Sequence, residues 1–164
     1  MNLFNASEIF QFAIKIEENG EQFYTAMMTR FDEEEIKHLF SYLAEQERQH
    51  KKIFQAMLSE IESYEPPESY PGEYFNYLRA YAEDLIFNLS QLDEEISSIN
   101  DISPALDAAI GKELDTILYY HEMINTVPKE QTQQIEKIIA EERRHVVRLS
   151  EIKRSYQNKE KNKK

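Results

Sequence analysis

Glu47-Arg48-Gln49-His50 recurs 95 residues later as Glu142-Arg143-Arg144-His145. In both stretches a carboxylate and an imidazole are three residues apart, so they share one face of a helix. Apolar residues dominate the positions three, four and seven residues away on the same face. The recurrence therefore indicates two related helices, each of which turns an acid and a histidine towards a core.

A second pair of stretches repeats at almost the same offset. Ala13-Ile14-Lys15-Ile16-Glu17 is followed, seven residues after the glutamate, by Tyr24, and Ala109-Ile110-Gly111-Lys112-Glu113 is followed in the same way by Tyr120. This offset is 96 residues. Two helix pairs with nearly one offset indicate a duplicated helical hairpin, whose repeated positions are the acidic and imidazole ones.

The spacing of apolar residues predicts an all-α, single-domain bundle. Two helix pairs joined by a connection of roughly forty residues require one long crossover, which predicts ferritin-like topology. We expect the bundle to span residues 1–157, with 158–164 as a basic, frayed tail, and the crossover to contain a short extra helix. The predicted segments are Ser7–Arg30, Asp32 to the residue before Pro66, Ser103–Thr126 and Pro128–Tyr156, with Tyr74–Asn88 and Asp93–Asn100 in the crossover.

Composition excludes several classes of function. The net charge of -12 argues against nucleic acid and anionic membrane surfaces as partners. The absence of cysteine excludes thiolate catalysis, disulfides and iron–sulfur or rubredoxin-type centres built from these residues. No stretch approaches the length of a membrane span, and the first residues do not resemble a signal peptide. A cytoplasmic location is expected.

Four glutamates in a helical core need compensation, because an isolated buried charge costs several kcal/mol even after relaxation. Two divalent cations would balance four carboxylates. Oxygen and imidazole ligands favour iron or manganese. One glutamate from each of two helices plus Glu-x-x-His from each of the other two is the ligand pattern of di-iron carboxylate bundles. The predicted ligands are Glu17, Glu47, His50, Glu113, Glu142 and His145.

From about Ser7 to Ile152 the chain resembles rubrerythrin-type proteins of the ferritin-like superfamily. The resemblance implies two iron ions, with manganese or mixed metals as alternatives, and reaction with hydrogen peroxide or dioxygen. It also implies a homodimer. By the same resemblance Glu47 and Glu142 bridge the metals, Glu17 and Glu113 are terminal ligands, His50 and His145 each bind one metal, and Tyr24 is the catalytic tyrosine beside the site.

Two departures from that family affect the expected function. The rubredoxin-like cysteine domain is absent, so an external electron-donor protein is needed. Thr116 stands where typical rubrerythrins have a further glutamate. The favoured function is reduction of hydrogen peroxide by a di-iron oxidoreductase. The alternatives are a ferroxidase or iron-handling protein, a substrate-oxidising oxygenase, and a metal-free structural bundle.

Glu35-Ile36-Lys37-His38 has the same spacing as the two repeated motifs, but it lies twelve residues before Glu47. Twelve residues rotate a helix by about 120° beyond whole turns, so this pair should point away from the core. It also has no counterpart in the second repeat. We expect His38 and His121 at the surface.

Overall fold

The computed structural model describes residues 6–61, 76–78, 80–81 and 89–162. Within these ranges the chain is helical and contains no strand. The helices are α1 (Ala6–Arg30), α2 (Glu34–Ile61), α3 (Leu89–Ser98), α4 (Ile102–Met123) and α5 (Lys129–Lys161), with a 3-10 turn at Ile124–Thr126 between α4 and α5. The predicted all-α bundle of four long helices with a long connection and a short extra helix is confirmed.

The helix ends differ from the predicted ones by a few residues. The carbonyl of Glu33 accepts hydrogen bonds from the amides of Ile36 and Lys37, so α2 starts just after the predicted cap. At the other end of the chain α5 continues to Lys161, five residues beyond the predicted end. No proline or glycine interrupts this stretch, and lysines near a helix C-terminus interact favourably with the helix dipole. The assignment of residues 1–157 to one domain stays a prediction.

Contacts at the helix ends fix the directions of the four long helices. The Tyr119 hydroxyl near the end of α4 donates to the carbonyl of Ile9 at the start of α1. Gln131 at the start of α5 donates to the carbonyl of Met57 near the end of α2. Together with the short α1–α2 turn, these contacts make each long helix antiparallel to its packed neighbours. The chain must therefore travel back along the bundle between α2 and α4.

The buried apolar residues form two clusters along the bundle axis. One includes Phe10, Phe54 and Tyr120. The other includes Tyr24, Phe40 and Leu149. On each long helix the predicted metal ligands lie between the residues of the two clusters. The bundle therefore encloses a buried polar layer between two apolar layers, and this arrangement positions the site.

Part of the crossover packs against the long helices. Tyr81 is buried, stacks on Tyr119 with ring centroids 6.4 Å apart, and donates to the carbonyl of Asp115. Near the end of α3, the carbonyl of Ser97 accepts a hydrogen bond from Arg30 of α1. The predicted amphipathic stretch 74–88 lies mostly outside the described residues, as do Tyr70, Tyr74 and Phe75. None of the helices described is both long enough and apolar enough to cross a membrane.

Candidate metal centre

The six predicted ligand residues converge in the middle of the bundle, and none of them is more than 4% exposed. They form two groups, in each of which one ligand atom per residue lies within 4.8 Å of the others. Glu47 and Glu142 belong to both groups. The first group is completed by Glu17 and His50, and the second by Glu113 and His145. The structure thus brings all six together, and their role as metal ligands stays a prediction.

The two histidines approach the shared carboxylate from opposite sides. His50 Nδ1 lies 2.9 Å from Glu142 Oε1 and 3.6 Å from Glu17 Oε2. His145 Nδ1 lies 2.8 Å from Glu142 Oε2 and 3.6 Å from Glu113 Oε2. The two rings are nearly parallel, with centroids 6.0 Å apart. The duplicated sequence therefore produces a nearly two-fold arrangement of side chains around Glu142.

Two tyrosines bind, across the bundle, the outer carboxylates, which are those of Glu17 and Glu113. The Tyr24 hydroxyl of α1 donates to Glu113 Oε1 of α4 at 2.5 Å. In the reverse direction, the Tyr120 hydroxyl of α4 donates to Glu17 Oε1 of α1. Burial, followed by the nearby carboxylates, raises the pKa of both phenols above the ordinary range. Both tyrosines therefore remain protonated donors that hold a carboxylate in place.

The pKa values of the buried acids are strongly shifted in the metal-free protein. Burial and repulsion from Glu142 raise the pKa of Glu113 to about 8. Burial and repulsion from Glu17 raise the pKa of Glu47 well above its usual range. The pKa of Glu17 is raised as well, mainly by burial. Burial would also raise the pKa of Glu142, but hydrogen bonds from His145 and His50 lower it instead.

Both imidazoles are held in the protonated form by these acids. Burial alone would lower their pKa values, yet the carboxylates of Glu142 and Glu17 raise the pKa of His50 to about 12. Glu113 and Glu142 raise the pKa of His145 to about 9. Without metal, protons on the two histidines and on some of the acids supply the positive charge that the cluster requires.

The donor set fits two divalent cations. Among the described residues, Glu17 Oε2 and Glu47 Oε1 are buried and have no hydrogen-bond partner. Buried polar atoms are almost always paired, so atoms left unpaired at the centre of a ligand cluster point to a missing partner. Carboxylate oxygens and imidazole nitrogens bind iron or manganese well. A metal ion in each group would use these atoms and displace the protons.

A cavity of about 60 Å³ adjoins the cluster between α1 and α4. Its walls include Gly20, Tyr24, Glu47, Glu113 and Thr116. A Cβ atom at Gly20 would collide with the Glu47 carboxylate, lying 3.0 Å from its Cδ atom. Glycine weakens a helix interior by about 1 kcal/mol relative to alanine. Its presence here leaves space for Glu47 and for the cavity.

The residues expected at the surface lie there. The side chain of His38 is 81% exposed and faces Glu34. His121 is exposed and contacts Arg143. Arg48, which flanks the first repeated motif, pairs with Glu21 at 2.9 Å. The motif at Glu35 is therefore separate from the cluster, as its helical phase predicted.

Sequence reasoning assigned no role to Glu141. Its Oε2 atom lies 2.8 Å from His50 Nε2, although 91 residues separate the two in sequence. The only sequence signal is its position directly before Glu142. The close approach of the Glu47 carboxylate to Gly20 was also missed, although Gly20 lies on the same helical stripe as Glu17.

A model of the rubrerythrin family matches residues 8–100. The chain also resembles the crystal structure of a candidate ferritin-like diiron-carboxylate protein from Thermotoga maritima, with a TM-score of 0.64 and 30% sequence identity. That match covers 94% of this chain and 97% of the other. No curated protein sequence matches. The family match includes Glu17, Glu47 and His50, and the structural match extends the likeness over the second repeat.

Replacing either shared carboxylate should abolish the two-metal centre. We expect Glu47→Ala and Glu142→Ala to reduce metal content from two ions per chain, one for each ligand group, to one or fewer. Metal content is measured by mass spectrometry after anaerobic loading with ferrous iron. Glu35→Ala and His38→Ala, which alter the exposed motif of the same spacing, serve as controls and should retain both ions. Full metal content in Glu47→Ala and Glu142→Ala would show that the ligand assignment is wrong.

Metal loading should release protons. At pH 7 the metal-free site holds protons on His50, His145 and Glu113, because their pKa values are raised to about 12, 9 and 8. Metals bind the deprotonated groups, so we expect release of roughly two protons or more per chain. Raising the pH from 7 to 9 removes part of this competition, and affinity should increase. A pH indicator in weakly buffered solution measures the release. Binding without proton release, or with affinity that falls over this range, would contradict the prediction.

Proposed function

Because this chain belongs to the rubrerythrin family, we propose that it is a non-haem di-iron oxidoreductase that reduces hydrogen peroxide to water. The observation that carries the proposal is a buried cluster of four glutamates and two histidines beside a small cavity. Two ferrous ions, bound by these residues, would supply the two electrons needed to split the O–O bond, and two protons complete the water molecules.

The size of the cavity supports a small oxidant as substrate. Sites for drug-sized organic molecules have volumes of about 300–1,000 Å³, whereas this cavity measures about 60 Å³. It has room for hydrogen peroxide or dioxygen next to Glu47 and Glu113. This comparison favours a peroxidase or a ferroxidase over an oxygenase that oxidises an organic substrate.

Tyr24 is the residue that we propose as proton donor to the substrate. It lines the cavity, and its hydroxyl is fixed by the hydrogen bond to Glu113 Oε1. The hydroxyl is protonated at neutral pH, as phenols ordinarily are, and burial raises its pKa further. Peroxide reduction consumes protons, so a protonated group at the wall of the cavity meets a requirement of the reaction. Tyr120 makes the corresponding bond to Glu17 but is not among the residues that line the cavity.

The electrons must come from outside these 164 residues, since they contain no cysteine with which to build a rubredoxin-type centre. We propose an external donor protein that transfers electrons to the di-iron centre. We further propose that the protein acts in the cytoplasm as a homodimer, in protection against oxidative stress.

The decisive experiment compares oxidants on the ferrous-loaded protein. We expect hydrogen peroxide to oxidise the iron faster than dioxygen does, as measured by stopped-flow absorbance. Tyr24→Phe should slow oxidation by peroxide roughly 10²-fold, the lower end of the usual effect of a general acid. Tyr120→Phe is the matched control, because it also removes a hydroxyl that donates to a carboxylate of the cluster. Its effect should be much smaller, and both variants should retain their metal.

Other outcomes would favour the alternatives. Faster oxidation by dioxygen, together with a large shell-forming oligomer that accumulates ferric iron, would show an iron-handling protein. Failure to bind metal after anaerobic loading would show a metal-free structural bundle. Equal effects of Tyr24→Phe and Tyr120→Phe would leave peroxide reduction in place but exclude the special role of Tyr24.

A further inference from the structure

The two histidines of the cluster differ at Nε2, the ring nitrogen that faces away from the four clustered glutamates. His50 Nε2 lies 2.8 Å from Glu141 Oε2. A carboxylate can only accept a hydrogen bond, so Nε2 carries the proton and donates it. Nδ1 is then directed at Glu17 and Glu142, where a metal ion would be bound. Glu141 therefore fixes both the orientation of the ring and the nitrogen that is available to a metal.

His145 has no such partner. Its Nε2 atom is buried and has no hydrogen-bond partner among the described residues. Instead, the Tyr42 ring lies beside the imidazole, with ring centroids 5.8 Å apart and planes at 89°. When Nδ1 binds a metal, Nε2 must keep its proton. That N–H group would then be buried without an acceptor, which is unfavourable.

This difference coincides with a departure from the internal repeat. The offset that relates Glu142 to Glu47 relates Glu141 to Gln46. Ligands are preserved in both halves of the chain, but the residue before the shared glutamate is a carboxylate in one half and an amide in the other. The exposed Arg144 side chain lies 3.4 Å from Glu141 Oε1. The two-fold arrangement of ligands is thus surrounded by an environment that is not two-fold.

We propose that Glu141 is a positioning residue that makes the two metal positions inequivalent, so that the position of His50 fills before that of His145. This inference rests on the proposed two-metal centre. Removing a hydrogen-bonding partner of a ligating histidine typically reduces metal affinity 10- to 100-fold. The position at His145 lacks such a partner among the described residues, so its affinity is lower by a comparable factor.

Titration of the metal-free protein with cobalt(II), followed by its visible absorption, tests this inference. Two binding steps are expected, with affinities that differ roughly 10- to 100-fold. His145→Ala should retain the tight step and His50→Ala should lose it. This pair of variants identifies which position fills first.

The role of Glu141 is tested by a series of variants. Glu141→Ala should weaken the first step roughly 10- to 100-fold, and Glu141→Gln should weaken it by a similar factor, since Gln46 at the repeat-equivalent position leaves His145 Nε2 without a partner among the described residues. Gln46→Glu, which places a carboxylate at the repeat-equivalent position, should strengthen the second step. The double variant Glu141→Gln with Gln46→Glu should reverse the order of filling. Glu136→Gln is the control, since it removes one exposed negative charge from the same helix.

The possible results separate this inference from the function on which it rests. Two equal steps in the unaltered protein, or a first step that Glu141→Ala leaves unchanged, would overturn the inference and leave the two-metal centre intact. Absence of any cobalt binding would overturn the two-metal centre itself. Thermal unfolding of the metal-free variants, followed by circular dichroism, shows whether a weakened step reflects loss of the fold. Weakening in a variant that unfolds at the same temperature supports the role of Glu141.

Discussion

Four carboxylates lie in the core of this bundle, and their need for positive charge governs the structure around them. In the metal-free protein that charge comes from protons, which His50 and His145 retain because their pKa values are raised to about 12 and 9. Hydrogen bonds from Tyr24 and Tyr120 stabilise the two outer carboxylates. The protein accepts an unfavourable polar layer between two apolar clusters, and such a layer is maintained where it provides a binding site. A bundle selected for stability alone would place hydrophobic residues at these positions.

A small cavity adjoins the same polar layer. Gly20 allows the Glu47 carboxylate to lie against the backbone of α1, and the space beside it forms a cavity that Thr116 and Glu113 also line. A larger cavity would admit organic substrates, and a closed core would admit nothing. The structure thus relates the size of one residue in α1 to the class of molecule that can reach the cluster. The cavity also distinguishes the two tyrosines, because Tyr24 is one of its lining residues and Tyr120 is not.

Duplication explains why both halves of the chain supply the same residues to the cluster. Departures from duplication explain why the two histidines have different surroundings. The two halves supply equivalent glutamates, histidines and tyrosines at offsets of 95 and 96 residues. Glu141 and Gln46 occupy equivalent positions but provide different hydrogen-bonding groups. Repeated glutamates and histidines give two groups that could each hold a metal ion, and unequal surroundings would allow the two positions to differ in affinity. Because the two halves are separate stretches of one chain, a residue in one half can differ from its counterpart in the other, as Glu141 differs from Gln46.

The helical bundle, its long crossover and the six residues that meet at its centre were predictable from the sequence alone. These follow from the helical period, because residues at steps of three, four and seven must share a face whatever the neighbouring helices do. The same rule placed His38 outside the cluster. Only the tertiary structure decided that Glu141 of α5 reaches His50 of α2, that each tyrosine bonds the outer glutamate of the other repeat, and that a cavity opens beside Gly20. Such contacts depend on how far two helices are rotated and shifted relative to each other. Displacements of an ångström or two make or break a hydrogen bond, and the periodicity of one helix carries no information about them.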